Sequence, residues 1–263
     1  MSPDRIGVAA CTWGLEPGYP WVPEYDPAEV LAAAARIGFS GYEPAAESGP
    51  GGHVAEQAAA LGIACPARFV GLSLADSDQA RKQGRAALDD LLALRGEVLM
   101  VGVEGLGDTR PLVELAEACA EAGVTAAIHP ELGTPVATAA AVDGMLAASP
   151  ALAVCLDTGH FWAAGDHGLP ELVRHWDGRI AHVHLKDVAA DQAAAVDAGR
   201  PVPEAVQAGL WEPLGQGAVP LAETLEALRA QGYEGWLIVE QDFAPDPEQS
   251  AAQGLAWVRE AVR

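Results

Sequence analysis

The sequence predicts an α/β protein folded as a single (β/α)8 barrel of the TIM-barrel type, one domain over residues 1–263. Three observations carry this prediction. Short β-branched or apolar runs alternate along the whole chain with Ala/Leu-rich stretches of helical period. The length of 263 residues suits one such barrel, which takes about 250. Helix-end, turn and strand-start phrases also recur: residues 36–42 (RIGFSGY) resemble residues 230–236 (AQGYEGW). A doubly wound sheet uses the same alternation, but it advertises a phosphate loop after its first strand. Cys11-Thr12-Trp13-Gly14 is no GxGxxG.

The strands are expected at Ile6–Cys11, Gly41–Glu43, Ala64–Leu72, Val98–Val103, Val124–His129, Leu152–Asp157, Ile180–Leu185 and Trp236–Glu240. Most run into Gly, Pro or Asp, which punctuate turns. Helices are expected at Pro27–Ile37, Val54–Leu61, Asp78–Leu94, Pro111–Glu121, Pro135–Ala147, Leu169–Trp176, Leu221–Ala230 and Gln249–Val262. Asp26-Pro27 supplies a capping acceptor followed by proline at the first helical position. Glycines 38, 62, 123 and 232 mark helix ends. The segment from Asp191 to Trp211 is long for a connection between strand and helix, and predicts a lid over the substrate, a packed loop or a dimer contact.

Composition narrows the function. Fifteen Lys and Arg stand against 37 Asp and Glu, a formal charge of −22. Such a surface repels phosphate backbones and anionic lipid, so neither nucleic acid nor a membrane is an expected partner. No apolar run reaches the ~18 residues of a membrane span. No secretory pattern is visible at the N-terminus. Cys11, Cys65, Cys119 and Cys155 form no CxxC pair and read as free thiols of a cytoplasmic protein.

In a barrel the chemistry is read at the C-terminal ends of the strands. The fifth strand ends at His129 with Glu131 two residues on, the sixth at Asp157 with His160 three residues on. The seventh places His182, His184 and Lys186 on one face by its period of two. The eighth ends at Glu240 after a strongly apolar run. Taken singly, each is as easily a cap or a satisfied core residue. Four successive strand ends bearing carboxylates or imidazoles predict a divalent cation, manganese first, with Mg2+, Co2+ or Zn2+ as alternatives. Trp13, Glu43, Arg68 and Glu104 stand near earlier strand ends as lesser candidates.

These residues resemble the xylose-isomerase-like TIM-barrel superfamily of sugar phosphate isomerases and epimerases, which includes ketose 3-epimerases and inosose dehydratase. The resemblance spans essentially the whole chain. It is most specific at residues 156–160 (LDTGH), 181–187 (AHVHLKD), 213–217 (PLGQG) and 238–240 (IVE). It implies Asp157, His184 and Glu240 as metal ligands, Glu240 also as a base, and His160 as a substrate contact. Ketose epimerases carry a metal-binding glutamate in the middle of the fifth strand, about where Thr125-Ala126-Ala127 stand here. The resemblance therefore leaves His129 or Glu131 to complete the site, with Glu131 or His160 as the second proton-transfer group.

The resulting expectation is a metal-dependent sugar isomerase or epimerase acting by enolisation of a keto- or aldo-sugar. A dehydratase or lyase on a keto-cyclitol is the second expectation, and a non-catalytic sugar-binding subunit the third. Lys186, His182, His160, Trp13 and Glu43 are the expected substrate contacts. The substrate is expected to be a small sugar or cyclitol, neutral rather than phosphorylated, and a homo-oligomer is compatible with the sequence. Endonuclease-IV-like repair enzymes share the barrel, but −22 argues against a DNA track.

Overall fold

A computed structural model describes residues 2, 4–15, 25–45 and 50–263. Eight parallel strands form one curled sheet: β1 (Ile6–Ala9), β2 (Gly41–Glu43), β3 (Ala67–Ser73), β4 (Val98–Gly105), β5 (Thr125–His129), β6 (Leu152–Asp157), β7 (Ile180–Leu185) and β10 (Leu237–Val239). The ladder order is β2-β1-β10-β7-β6-β5-β4-β3. Its two edges approach through a parallel bridge between Gly41 and Ala64. There the Tyr42 amide donates to the Ala64 carbonyl at 2.8 Å, and the Ala64 amide to the Ser40 carbonyl at 2.9 Å. The third strand, expected from Ala64, thus becomes continuous only at Ala67. Pro66, which has no N–H to donate, separates the bridge from the ladder.

Helices cover the sheet: α1 (Pro27–Ile37), α2 (Gly51–Leu61), α3 (Ser77–Leu94), α4 (Arg110–Glu121), α5 (Ala139–Leu146), α6 (Thr158–Ala163), α7 (Leu169–His175), α10 (Leu221–Ala230) and α11 (Pro247–Ala261). Their starts follow the capping logic of the sequence. Asp26 accepts from the Ala28 amide at 2.9 Å, and Asp76 from the Gln79 amide at 3.0 Å. The fifth helix begins at Ala139 rather than Pro135, because the Thr138 hydroxyl caps the Ala141 amide and ends the preceding turn.

Between β7 and α10 lies an excursion: β8 (Asp187–Val188), α8 (Ala190–Asp197), α9 (Val202–Gln207) and β9 (Trp211–Glu212). β8 and β9 pair antiparallel and close its base. The Asp187 carboxylate fastens the chain beyond β9, accepting from the amides of Gly215 and Gly217 at 2.9 Å and Val219 at 3.1 Å. The excursion is therefore packed onto the barrel through Val188, Ala205 and Leu210, all buried.

The main core lies between sheet and helices, with Val8, Leu99, Ile128, Leu156 and Val183 fully buried. The barrel interior mixes small side chains, among them Ala9, Ala67, Ala127 and Ala153, with the bulkier Val98, Met100 and Ile238. Small residues inside leave volume at the C-terminal mouth, where the site sits.

Candidate metal centre

The strand mouth holds a cavity of about 620 Å³, whose wall includes His129, Glu131, His160, His184 and Glu240. Four strands supply the polar cluster. β6 ends in Asp157, whose two carboxylate oxygens do different work. Oδ1 accepts the His160 amide at 2.7 Å and caps α6, while Oδ2 is buried with no hydrogen-bond partner. One oxygen thus caps the helix while the other remains turned toward the polar cluster.

His184 on β7 is oriented from behind. Its Nε2 lies 2.9 Å from Oε2 of Glu43, the last residue of β2. The other Glu43 oxygen is hydrogen-bonded to His182 Nε2. With Nε2–H directed at Glu43, His184 Nδ1 is the nitrogen that faces the cavity. This atom stands 2.6 Å from Glu240 Oε2 and 3.5 Å from Asp157 Oδ2. None of the three has a hydrogen-bond partner of acceptable geometry. These three buried atoms lie within 4.8 Å of one another, held together by the His184–Glu240 contact. A mixed carboxylate and imidazole set of this kind fits a divalent cation.

His129, at the end of β5, places Nε2 3.6 Å from Asp157 Oδ2 and its ring 5.2 Å from that of His184. Glu131 stands further out, its two oxygens 3.6 Å from His129 Nδ1 and from His160 Nε2. Of the two fifth-strand alternatives, His129 is the one in contact with the Asp157 atom that lacks a partner.

Lys186 is fully buried, and its ammonium is surrounded. Nζ lies 2.9 Å from Glu240 Oε1, 2.9 Å from Asp242 Oδ2 and 3.0 Å from His160 Nε2, and 4.7 Å from the centre of the Trp211 ring. Trp211 also meets the His160 ring edge-on at 5.1 Å, so the excursion contributes one wall of the site.

The electrostatics arise from burial and proximity. Burial alone raises the carboxylates, but the Lys186 charge, with His160 or His184, holds Asp157 and Glu240 well below the usual range. Burial likewise opposes ionisation of Glu43, and the facing imidazoles of His184 and His182 outweigh it, to about 2. His184 is pushed down by burial and drawn well above an ordinary histidine by Glu240. His160 falls to about 3 through burial and the Lys186 charge, so its ring is neutral. Its Nδ1 accepts the Leu132 amide at 3.1 Å, and the Lys186 ammonium lies 3.0 Å from its Nε2.

Some expected contacts sit elsewhere. The first strand stops at Ala9, and the chain turns through a 3-10 segment, Ala10–Trp13, which buries Trp13 in the core away from the cavity wall. His182 is fully buried behind Glu43, and both Glu43 oxygens are occupied by imidazoles. Arg68 points away from the cavity, bound to Asp90 at 2.8 Å and to the carbonyls of Pro44 and Ala45. Asp242 and Trp211 do not stand out by their sequence positions. Asp242 follows Glu240 at the spacing that puts both on one side, which is the signal available. Trp211 becomes a wall residue only through the β8–β9 pair.

This fold and strand-end cluster define a class of barrel proteins with carboxylate and imidazole side chains converging at the mouth. Residues 31–261 match the model of the xylose isomerase-like TIM barrel family, and the chain belongs to that family. Among curated relatives it is 33% identical over 170 residues to inosose dehydratase of Geobacillus thermodenitrificans, covering 62% of this chain and 54% of that protein. It is 36% identical over 179 residues to the rhizopine catabolism protein MocC of Rhizobium meliloti, covering 67% and 52%. The chain thus spans about half the length of the curated relatives it matches. D-allulose 3-epimerase from Methylomonas sp. superposes with a TM-score of 0.74 at 18% identity, covering 98% of this chain and 97% of that one. No helix among the described residues is long and apolar enough to cross a membrane.

Proposed function

We propose that the protein is a divalent-metal-dependent enzyme that enolises a keto-sugar or keto-cyclitol and then eliminates a β-hydroxyl as water. The observation that carries this reading is the convergence of Asp157 Oδ2, His184 Nδ1 and Glu240 Oε2, buried and without hydrogen-bond partners. With His129 these residues would hold the ion. A divalent cation bound there supplies Lewis-acid polarisation of a substrate carbonyl and its neighbouring hydroxyl.

The chain's own residues divide the proton work. Glu240 takes the proton from the carbon beside the carbonyl, breaking the C–H bond. Lys186, 2.9 Å from Glu240 Oε1, keeps that carboxylate ionised and fixed before the transfer. Glu131, in its acid form, gives its proton to the departing hydroxyl, so that the C–O bond breaks, water leaves and a C=C bond forms. The His160 ring, with Nε2 3.6 Å from Glu131 Oε1, packs beside that carboxyl group. Cytoplasmic location and manganese as the ion are part of this proposal.

Elimination is preferred to epimerisation because the matched curated relatives named inosose dehydratase point to it, whereas Glu131 as second proton-transfer group would serve either outcome. Incubation with inosose in heavy water checks it. The expected result is ultraviolet absorbance from an enone, or its tautomer, with loss of water. Solvent deuterium entering recovered ketose without water loss would instead establish the epimerase reading. Neither outcome across an inosose and ketose panel would refute both.

A further inference from the structure

Opposite the acidic cluster, the cavity wall is built by β3 and β4 in an unusual way. Gly71 on β3 and Gly102 on β4 stand opposite each other in register. Each is covered by a side chain from the other strand. A Cβ on Gly102 would lie 2.7 Å from the Phe69 ring, and a Cβ on Gly71 only 2.1 Å from Glu104 Oε1. The paired glycines thus make a shallow floor across which Phe69 and Glu104 fold toward one another.

Phe69 is 42% exposed, high for a phenylalanine, and the surface it shows lines the cavity. Its ring meets His129 edge-on at 5.5 Å, so a six-membered ring reaching from the metal centre extends onto it. Glu104 lines the same cavity, and among the described residues it has neither an ion pair nor a hydrogen bond. The described lining contains no lysine or arginine. An aromatic face beside a carboxylate suits the C–H face and hydroxyl donors of a polyol, and repels anions.

We propose that Phe69 and Glu104, brought together over the Gly71–Gly102 pair, form a distal subsite. It takes the uncharged, hydroxyl-bearing end of a ring whose carbonyl end lies at the metal centre, and it rejects phosphorylated or carboxylated counterparts. This rests on the proposed metal-dependent reading and names its substrate class.

Calorimetric titration of the purified protein with inosose, and separately with an inosose phosphate, tests the subsite. Glu104→Gln is expected to weaken inosose binding about tenfold, the loss of a hydrogen bond to a charged acceptor. Gly71→Ala, whose methyl displaces the flexible carboxylate, is expected to weaken it in the same direction. Glu104→Lys is expected to weaken inosose binding while tightening the phosphate at least about tenfold over the parent, by reversing the charge. Inosose affinities within twofold of the parent in all three variants, with no gain for the phosphate, would overturn the subsite. In that case parental turnover, if present, leaves the metal-centre reading intact. Glu104-dependent binding alongside an Asp157→Asn variant of unchanged metal content would overturn the metal-centre reading and leave the subsite. No binding of either probe by the parent would overturn both.

Discussion

The carboxylate of Glu43, at the end of β2, accepts a hydrogen bond from Nε2 of His184 on β7 at 2.9 Å. The two strands lie on different sides of β1 and β10 in the ladder, so this contact spans the barrel interior. It fixes which His184 nitrogen carries the proton and therefore which one faces the cavity. Outer partners of this kind tune ligand basicity. Glu43→Gln is expected to lower divalent-metal affinity by about 10–100-fold, measured by competition with a coloured chelator. Unchanged affinity would refute the orienting role.

Metal binding should appear as stability. A ligand at about 100 times its Kd adds about 2.7 kcal/mol. For a chain of this size that is a rise of about 5–10 °C in Tm. Added Mn2+ should raise the melting temperature of chelator-treated protein by this amount, and Asp157→Asn should abolish the rise. An equal rise in parent and variant would place the ion elsewhere.

Lys186 offsets buried negative charge. Its ammonium is within 2.9 Å of both Glu240 and Asp242. Removing one partner of a buried ion pair leaves the other uncompensated, at a cost of about 3–5 kcal/mol. Lys186→Met should shift the urea midpoint accordingly in metal-free protein, with part of the loss recovered on adding Mn2+. A midpoint unchanged from the parent would mean that the ammonium does not hold these carboxylates.

The thiols give a test by alkylation, with Cys11 Sγ 3.1 Å from Glu240 Oε1 the one that adjoins the cluster. Burial pushes Cys65 up to about 12 and Cys119 to about 11, and Cys155 is raised as well. Because a raised thiol pKa depletes the thiolate, native protein at pH 8 should resist alkylation at these three positions. Cys11, half-buried at the cavity wall, is the expected native site of labelling. Labelling of all four should require denaturant, and mass spectrometry of iodoacetamide-treated protein reads the pattern directly.

Much of the barrel is legible in the sequence because its signals are local. Apolar runs of period two, Ala/Leu stretches of period 3.6, and caps such as Asp26 and Asp76 each act within a few residues. The predicted spans of α1 and α10 therefore coincide with the observed ones, and the strand ends bring His160, His184 and Glu240 to one cavity wall, with Asp157 Oδ2 3.5 Å from His184 Nδ1. Sequence reasoning misplaces Trp13 because an extended run and a 3-10 turn look alike over four residues. Nothing local shows that Asp242 and Glu240 enclose Lys186.

The order of strands and the polar strand ends are properties of the chain itself, and they determined a barrel with carboxylates and imidazoles at its mouth. Which atoms face that mouth was decided only by contacts between distant segments. Glu43 turns His184 from 141 residues away. The excursion brings Trp211 against His160. Gly71 and Gly102 let Glu104 and Phe69 cross between strands. Such pairings depend on the closure of the sheet, and sequence periodicity contains no information about which strand ends come to lie face to face.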